Sequence, residues 1–128
     1  MIQEDTFTLL LGHGSRAPGA DQAMHQLAEN LKKRQGLENL MVCTMEGLGL
    51  PLQEAIAQAY AKGHRRILVL PYFLHMGNHL LQDVPEILDA ARETYPDLQL
   101  HLGRHLGADE ALADLVQRRL CESLEDMA

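Results

Sequence analysis

The sequence predicts an α/β fold, a three-layer sandwich in which helices cover both faces of a four-stranded parallel sheet. Three observations lead there. Strand-like and helix-like stretches alternate four times, βαβαβαβα, along 128 residues. Their connections are short. The first and third strands, Thr6–Leu11 and Arg66–Leu70, are near-continuous apolar runs, as strands covered on both faces require. Alternation of this kind implies right-handed crossovers between parallel strands. The length suits a single domain over 1–128 with its own hydrophobic core.

Taken in order, Thr6–Leu11 (TFTLLL) is the first strand, ended by Gly12. A helix runs from Gly19 to about Arg34, with Ala23, Leu27, Ala28 and Leu31 at helical spacing and Gly36 as its stop. Leu40–Met45 (LMVCTM) is the second strand, and Glu46-Gly47-Leu48-Gly49 turns the chain. Pro51 opens the second helix, which carries Ala55, Ile56, Ala59 and Tyr60 and leaves Gly63 at its C′ position. Arg66–Leu70 is the third strand, stopping at Pro71. The third helix is expected to begin near Asp83, where Asp-Val-Pro-Glu supplies an N-cap, a first-turn proline and Glu86 three residues on. It ends near Tyr95-Pro96. Leu98–Leu102 is the fourth strand, and Ala108 to about Leu124 the last amphipathic helix.

The totals exclude several function classes. An apolar fraction of 46% and a charged fraction of 23% are those of an ordinary soluble protein. No apolar run approaches the roughly 20 residues that span a bilayer. The acidic start, Met-Ile-Gln-Glu-Asp, lacks a basic region followed by an apolar one, so cytoplasmic residence is expected. A formal net charge of −7 argues against nucleic acid as partner, and an anionic substrate would need local Arg residues or helix N-termini. Cys43 and Cys121 show no metal-type spacing and read as packing residues. A sheet of only four strands leaves edges to cover, which makes a symmetric dimer the expected assembly.

In a parallel sheet all loops after the strands gather at one rim, where ligands bind. The first such loop carries Gly12-His13-Gly14-Ser15-Arg16, the second Glu46, the third His75 and His79, and the fourth Arg104 and His105. The glycines beside His13 remove side-chain bulk and let a ligand approach, although a histidine there could also bond across a tight turn. Ser15 could cap a helix, Arg16 could contact an anion, and Glu46 could be a solvated surface charge. His75 and His79 are four apart, the spacing of a two-His metal pair on a helix, but Gly77 and Pro85 favour an irregular loop. His25 and His64 lie away from the rim, and His101 lies within the fourth strand. A His-rich site without thiolates suits a borderline divalent metal such as cobalt, nickel, zinc or iron(II). No HExxH, Walker or dinucleotide motif is present.

Leu-Gly-His-Gly-Ser-Arg at 11–16 and Pro-Tyr-Phe-Leu-His-Met-Gly-Asn-His at 71–79, followed by Asp-Val-Pro at 83–85, resemble the CbiX family. These are the sirohydrochlorin cobaltochelatases of cobalamin biosynthesis, within the class II tetrapyrrole chelatases. The resemblance covers nearly the whole chain and is to the short form, half of a class II chelatase fold, which pairs with a second copy of itself. It departs where Leu50 occupies the place of the family's usual proline and where Ala-Asp-Glu follows Leu106-Gly107.

The resemblance implies that His13 and His79 face the metal across a cleft, with Glu46 as the nearby acidic group. Those three are the catalytic candidates. Ser15, Arg16, His75 and Arg104 are the candidates for contacting a sirohydrochlorin-type tetrapyrrole. No tightly bound cofactor is expected; the divalent metal, cobalt or else nickel or iron, is a substrate. A non-catalytic metal or tetrapyrrole carrier is the alternative of a different class. A histidine phosphatase or mutase would place Arg directly before its histidine, where this chain has Gly12.

Overall fold

The computed structural model describes residues 5–19 and 21–128. Four strands and four helices alternate: β1 (Thr6–Gly12), α1 (Gln22–Gln35), β2 (Leu40–Thr44), α2 (Leu52–Ala61), β3 (Arg66–Pro71), α3 (Asn78–Thr94), β4 (Gln99–Leu102) and α4 (Glu110–Met127). The strands form one parallel sheet in the order β2-β1-β3-β4. Leu10 lies opposite Val42 on one side and Leu70 on the other. The chain leaves β1 towards β2 and then returns past β1 to β3. Successive crossovers therefore reverse between β1 and β3, the place where open α/β sheets form their ligand crevice. The acidic start at Met1–Glu4, and Ala20 at the expected start of the first helix, lie outside the described residues.

Side-chain alternation sorts the core into two layers. On one face, Phe7, Leu9, Leu11, Ile67 and Val69 pack against Leu52, Ala55, Ile56 and Ala59 of α2 and Val84 and Leu88 of α3. On the other, Leu10 and Leu40 pack against Ala28 of α1. This second layer is smaller and stops short of β4. In β3 only Ile67, Val69 and Pro71 are buried, while Arg66, Leu68 and Leu70 on the α1 side are half-buried. The double-sided burial expected of β3 is thus met on one side: Leu68 is half-buried, and His101 opposite it on β4 is exposed. Helix α4 has the complementary defect. None of its residues is buried, and Leu115, Val116, Leu120 and Leu124 are exposed along one stripe.

The largest departure from expectation is the start of α3, five residues before Asp83. Asp83 and Pro85 lie inside the helix, Gly77 is the residue before it, and Leu81 N–H donates to Gly77 C=O at 3.0 Å. Pro85 therefore deprives Leu81 of its partner, a local cost. The apolar spacing outweighs it: Leu80, Val84, Ile87, Leu88 and Ala91 all meet the core, which needs helix on both sides of the proline. Elsewhere the ends agree closely with the local signals. Gly36 takes φ 63° after α1, and Gly63 takes φ 103° after α2, conformations that favour glycine.

At the edge of the sheet far from the rim, Tyr60 Oη donates to Asp97 Oδ1 at 2.7 Å, and Arg65 Nε donates to Asp97 Oδ2 at 3.2 Å. The Tyr60 hydroxyl is the main reason the Asp97 carboxyl sits below its usual range. A depressed carboxyl contributes stability above its unfolded pKa and loses it as pH falls through the folded one, so this clamp weakens only in acid.

The two thiols are free. Burial pushes Cys43 up to about 12, whereas Cys121 is exposed on α4. A thiol reagent at pH 8 is expected to titrate one thiol per folded chain and two in denaturant. Two fast thiols in the folded protein would contradict the packing described for β2.

Candidate active site

The site begins where the hydrogen bonds of the sheet continue beyond the strands. Between the loops after β1 and β2, Met45 N–H donates to Gly12 C=O at 3.0 Å, Glu46 N–H to His13 C=O at 3.1 Å, and Leu48 N–H to Ser15 C=O at 3.2 Å. Tyr72 N–H donates to Leu11 C=O at 2.7 Å, and Leu106 N–H to Phe73 C=O at 2.9 Å. The loops after β1 and β2 are bonded to each other, as are those after β3 and β4, and the loop after β3 is bonded to the end of β1, so the rim extends the sheet.

Glycine is what lets two of these loops touch. Gly14 has φ 95°, and a Cβ there would stand 1.8 Å from the carbonyl oxygen of Glu46. Gly47 has φ 86°, and its Cβ would meet the Ser15 backbone at 2.6 Å. Directly below, Thr44 at the end of β2 is buried, and its Oγ1 has no hydrogen-bond partner among the described residues.

This crossing brings His13 and Glu46, 33 positions apart, side by side. His13 Nδ1 is 3.4 Å from Glu46 Oε1, and both side chains are largely exposed, 61% and 68%. The pair is longer than a good hydrogen bond and open to a ligand. An imidazole whose Nδ1 faces a carboxylate has its Nε2 free for a proton or a metal. Phe73, from the loop after β3, stands edge-on to the His13 ring with centroids 6.5 Å apart.

His79 is exposed in the first turn of α3, and His75 is exposed in the loop before it. They are not a pair on one helix. Among the described residues no three His, Cys, Asp or Glu side chains gather closely enough to cage an ion. The Ser15 hydroxyl accepts from Ala17 N–H at 3.1 Å and so closes a local turn rather than capping α1, which starts at Gln22. Arg16 is exposed on the same loop.

Arg104 and His105 line a cavity of about 560 Å³ over the end of β4, with Pro71, Met76, Leu81 and Leu106. The apolar members of this cavity, and Phe73 beside His13, had no signal in the sequence beyond being apolar residues in loops after strands. Away from the rim, His25 pairs with Asp21 at 3.2 Å on α1, and His64 packs on Phe7 with ring centroids 4.8 Å apart. Both are surface or packing residues.

Known proteins resemble this chain along most of its length. The family model for CbiX matches residues 8–123. A sirohydrochlorin cobaltochelatase of Methanosarcina acetivorans is 32% identical over 123 residues, which cover 91% of this chain and 95% of that protein. A sirohydrochlorin ferrochelatase of Priestia megaterium is 30% identical over 119 residues, 92% of this chain but 44% of the relative. The crystal structure of the sirohydrochlorin chelatase SirB from Bacillus subtilis subspecies spizizenii, in complex with cobalt, superposes with a TM-score of 0.83 at 25% identity. That match covers 91% of this chain and 50% of SirB, so the chain spans about half of the larger protein.

Proposed function

The chain belongs to the CbiX family, and on that premise we propose that it is a metal chelatase that inserts a divalent ion, cobalt(II) first, into sirohydrochlorin. The observation that carries the reading is the His13–Glu46 pair where the loops after β1 and β2 cross on the rim, with Phe73 of the loop that leads to His79 edge-on to the His13 ring.

Insertion exchanges two pyrrole protons for one metal ion, so the site must take up two protons and guide the ion as it loses water. The imidazoles of His13 and His79 are of the type that can hold a borderline metal or take up a ring proton. Glu46, at His13 Nδ1, orients that ring and stabilises the imidazolium once a proton has arrived. The hydrogen-bonded rim holds ion and macrocycle face to face, which supplies the proximity contribution. Ser15, Arg16, His75 and Arg104 contact the macrocycle, whose carboxylates are also met by the free N–H groups at the start of α3.

The working unit is a homodimer. Its support is the exposed apolar stripe of α4, the uncovered strip of sheet at Leu68, and the half-length relation to SirB. Sedimentation is expected to give twice the 14.3 kDa chain mass, and Leu120→Glu to give the single-chain mass. A wild-type monomer would contradict this assembly. The reaction is assigned to the cytoplasm, where an exposed free thiol such as Cys121 persists.

The metal is tested by a panel of cobalt(II), nickel(II), iron(II) and zinc(II) with purified protein and sirohydrochlorin, followed by absorption. Cobalt is expected to give the highest kcat/KM. Since imidazoles discriminate weakly among these ions, nickel and iron should give measurable rates. A protein that accelerates none of them would refute the proposed activity.

A further inference from the structure

We infer that the cavity over β4 is the subsite that anchors one carboxylate-bearing edge of the macrocycle, with Arg104 and His105 as anion contacts and Met76, Leu81 and Leu106 as its apolar floor. The inference rests on the chelatase reading and specifies how that site orients its substrate.

Three observations carry it. The first is the lining. Leu81 is 59% exposed and Leu106 is 37% exposed, yet both face one concave space of about 560 Å³, within the usual range of small-molecule sites. A conjugated ring with ionised side chains calls for this combination of an apolar floor and a guanidinium at the edge.

The second is charge. In a chain of net charge −7 a polyanion needs a local cation. Arg104 is exposed and makes no ion pair among the described residues. The one carboxylate in the lining, Asp109, is occupied as the cap of α4, its Oδ1 accepting from Ala111 N–H at 2.9 Å. The imidazole of His105 lies against Gly107, where a Cβ would come within 2.7 Å of Nε2, so glycine at 107 gives that ring its place on the wall.

The third is position. The cavity walls are tied to the catalytic rim by Leu106 N–H to Phe73 C=O, and Phe73 touches the His13 ring. From β1 to β4 is two strand spacings, roughly 10 Å. That separation is comparable with the reach from the centre of a tetrapyrrole to its peripheral carboxylates. A ring edge held over β4 would therefore bring the four nitrogens back towards His13.

The test measures KM and kcat for sirohydrochlorin and for cobalt(II), together with metal-free binding of sirohydrochlorin by absorption titration. Arg104→Gln is expected to weaken sirohydrochlorin about tenfold in both KM and direct binding, with KM for cobalt unchanged. Arg104→Lys should recover part of the loss, and Leu81→Asn should weaken binding severalfold without changing the fold. Lys33→Gln on α1, which removes the same charge far from the rim, should change nothing. If the wild type metallates sirohydrochlorin and both rim variants bind it normally, the subsite is refuted and the chelatase reading stands. If the wild type neither binds nor metallates it, both fail. If Leu81→Asn instead splits a wild-type dimer, the cavity is covered by a second copy and the subsite is refuted.

Discussion

His13→Ala and His79→Ala are each expected to lower the rate of cobalt insertion by about 10²–10⁴-fold, the usual contribution of a positioned acid–base group. Neither change should alter folding. Both side chains are exposed, and such surface substitutions usually fall within about 0.5 kcal/mol. A large rate loss at unchanged melting temperature is therefore the signature of chemistry. The double variant should lose less than the product of the two single losses, because the histidines serve one insertion event. Glu46→Gln should fall between wild type and His13→Ala: it keeps a polar neighbour at Nδ1 but removes the charge that stabilises the protonated ring. Initial rates followed by absorption decide the matter. If either alanine variant keeps the full insertion rate, that histidine is not part of the machinery.

Gly14→Ala is expected to be the most damaging single substitution in the rim. Its φ of 95° disfavours any L side chain, at a cost of about 1–3 kcal/mol. The added Cβ would also overlap a backbone oxygen, that of Glu46, which no rotamer change can relieve. The two loops must separate, and Glu46 N–H to His13 C=O is the bond in the way. The melting temperature should fall by on the order of 10 °C. Insertion should drop further than the loss of folded protein explains, because His13 and Glu46 no longer meet. Gly36→Ala is the matched control. It too has a positive φ, 63°, but a Cβ there meets nothing within 4 Å, so it should cost only about 1 kcal/mol and leave activity intact. Equal effects at the two glycines would show that backbone conformation, and not loop contact, is what matters.

The fold was legible because each layer has a short-range signature. The apolar run at Thr6–Leu11, the spacing of Ala55, Ile56 and Ala59, and the glycines at 36 and 63 each marked an element that the structure contains. The start of α3 is hidden because the local signal at Asp83-Val-Pro85 is a strong helix beginning. Only the packing of half-buried Leu80 against the core, a tertiary effect, shows that the helix is already under way. The exposure of α4 was equally hidden, since an amphipathic pattern specifies an apolar face but not whether its own chain covers it.

For the site, the topology of a parallel sheet puts the loops carrying His13, Glu46, His75 and Arg104, and the first turn of α3 with His79, at the same end of the sheet. It could not show that Glu46 sits at His13 Nδ1 while His75 and His79 fail to share a helix face. The first depends on hydrogen bonds between loops 33 residues apart, and the second on where a helix starts. The cavity at Arg104 depends on Leu81 and Leu106 converging from different loops, which no spacing records.

Catalysis at the rim is distinguished from mere binding by turnover. Sirohydrochlorin and cobalt(II) in large excess over protein should give many equivalents of cobalt-sirohydrochlorin per chain, at a steady rate above the protein-free reaction. Product that stops at one equivalent per chain, or a rate equal to the protein-free one, would mean that the rim carries metal or tetrapyrrole without joining them.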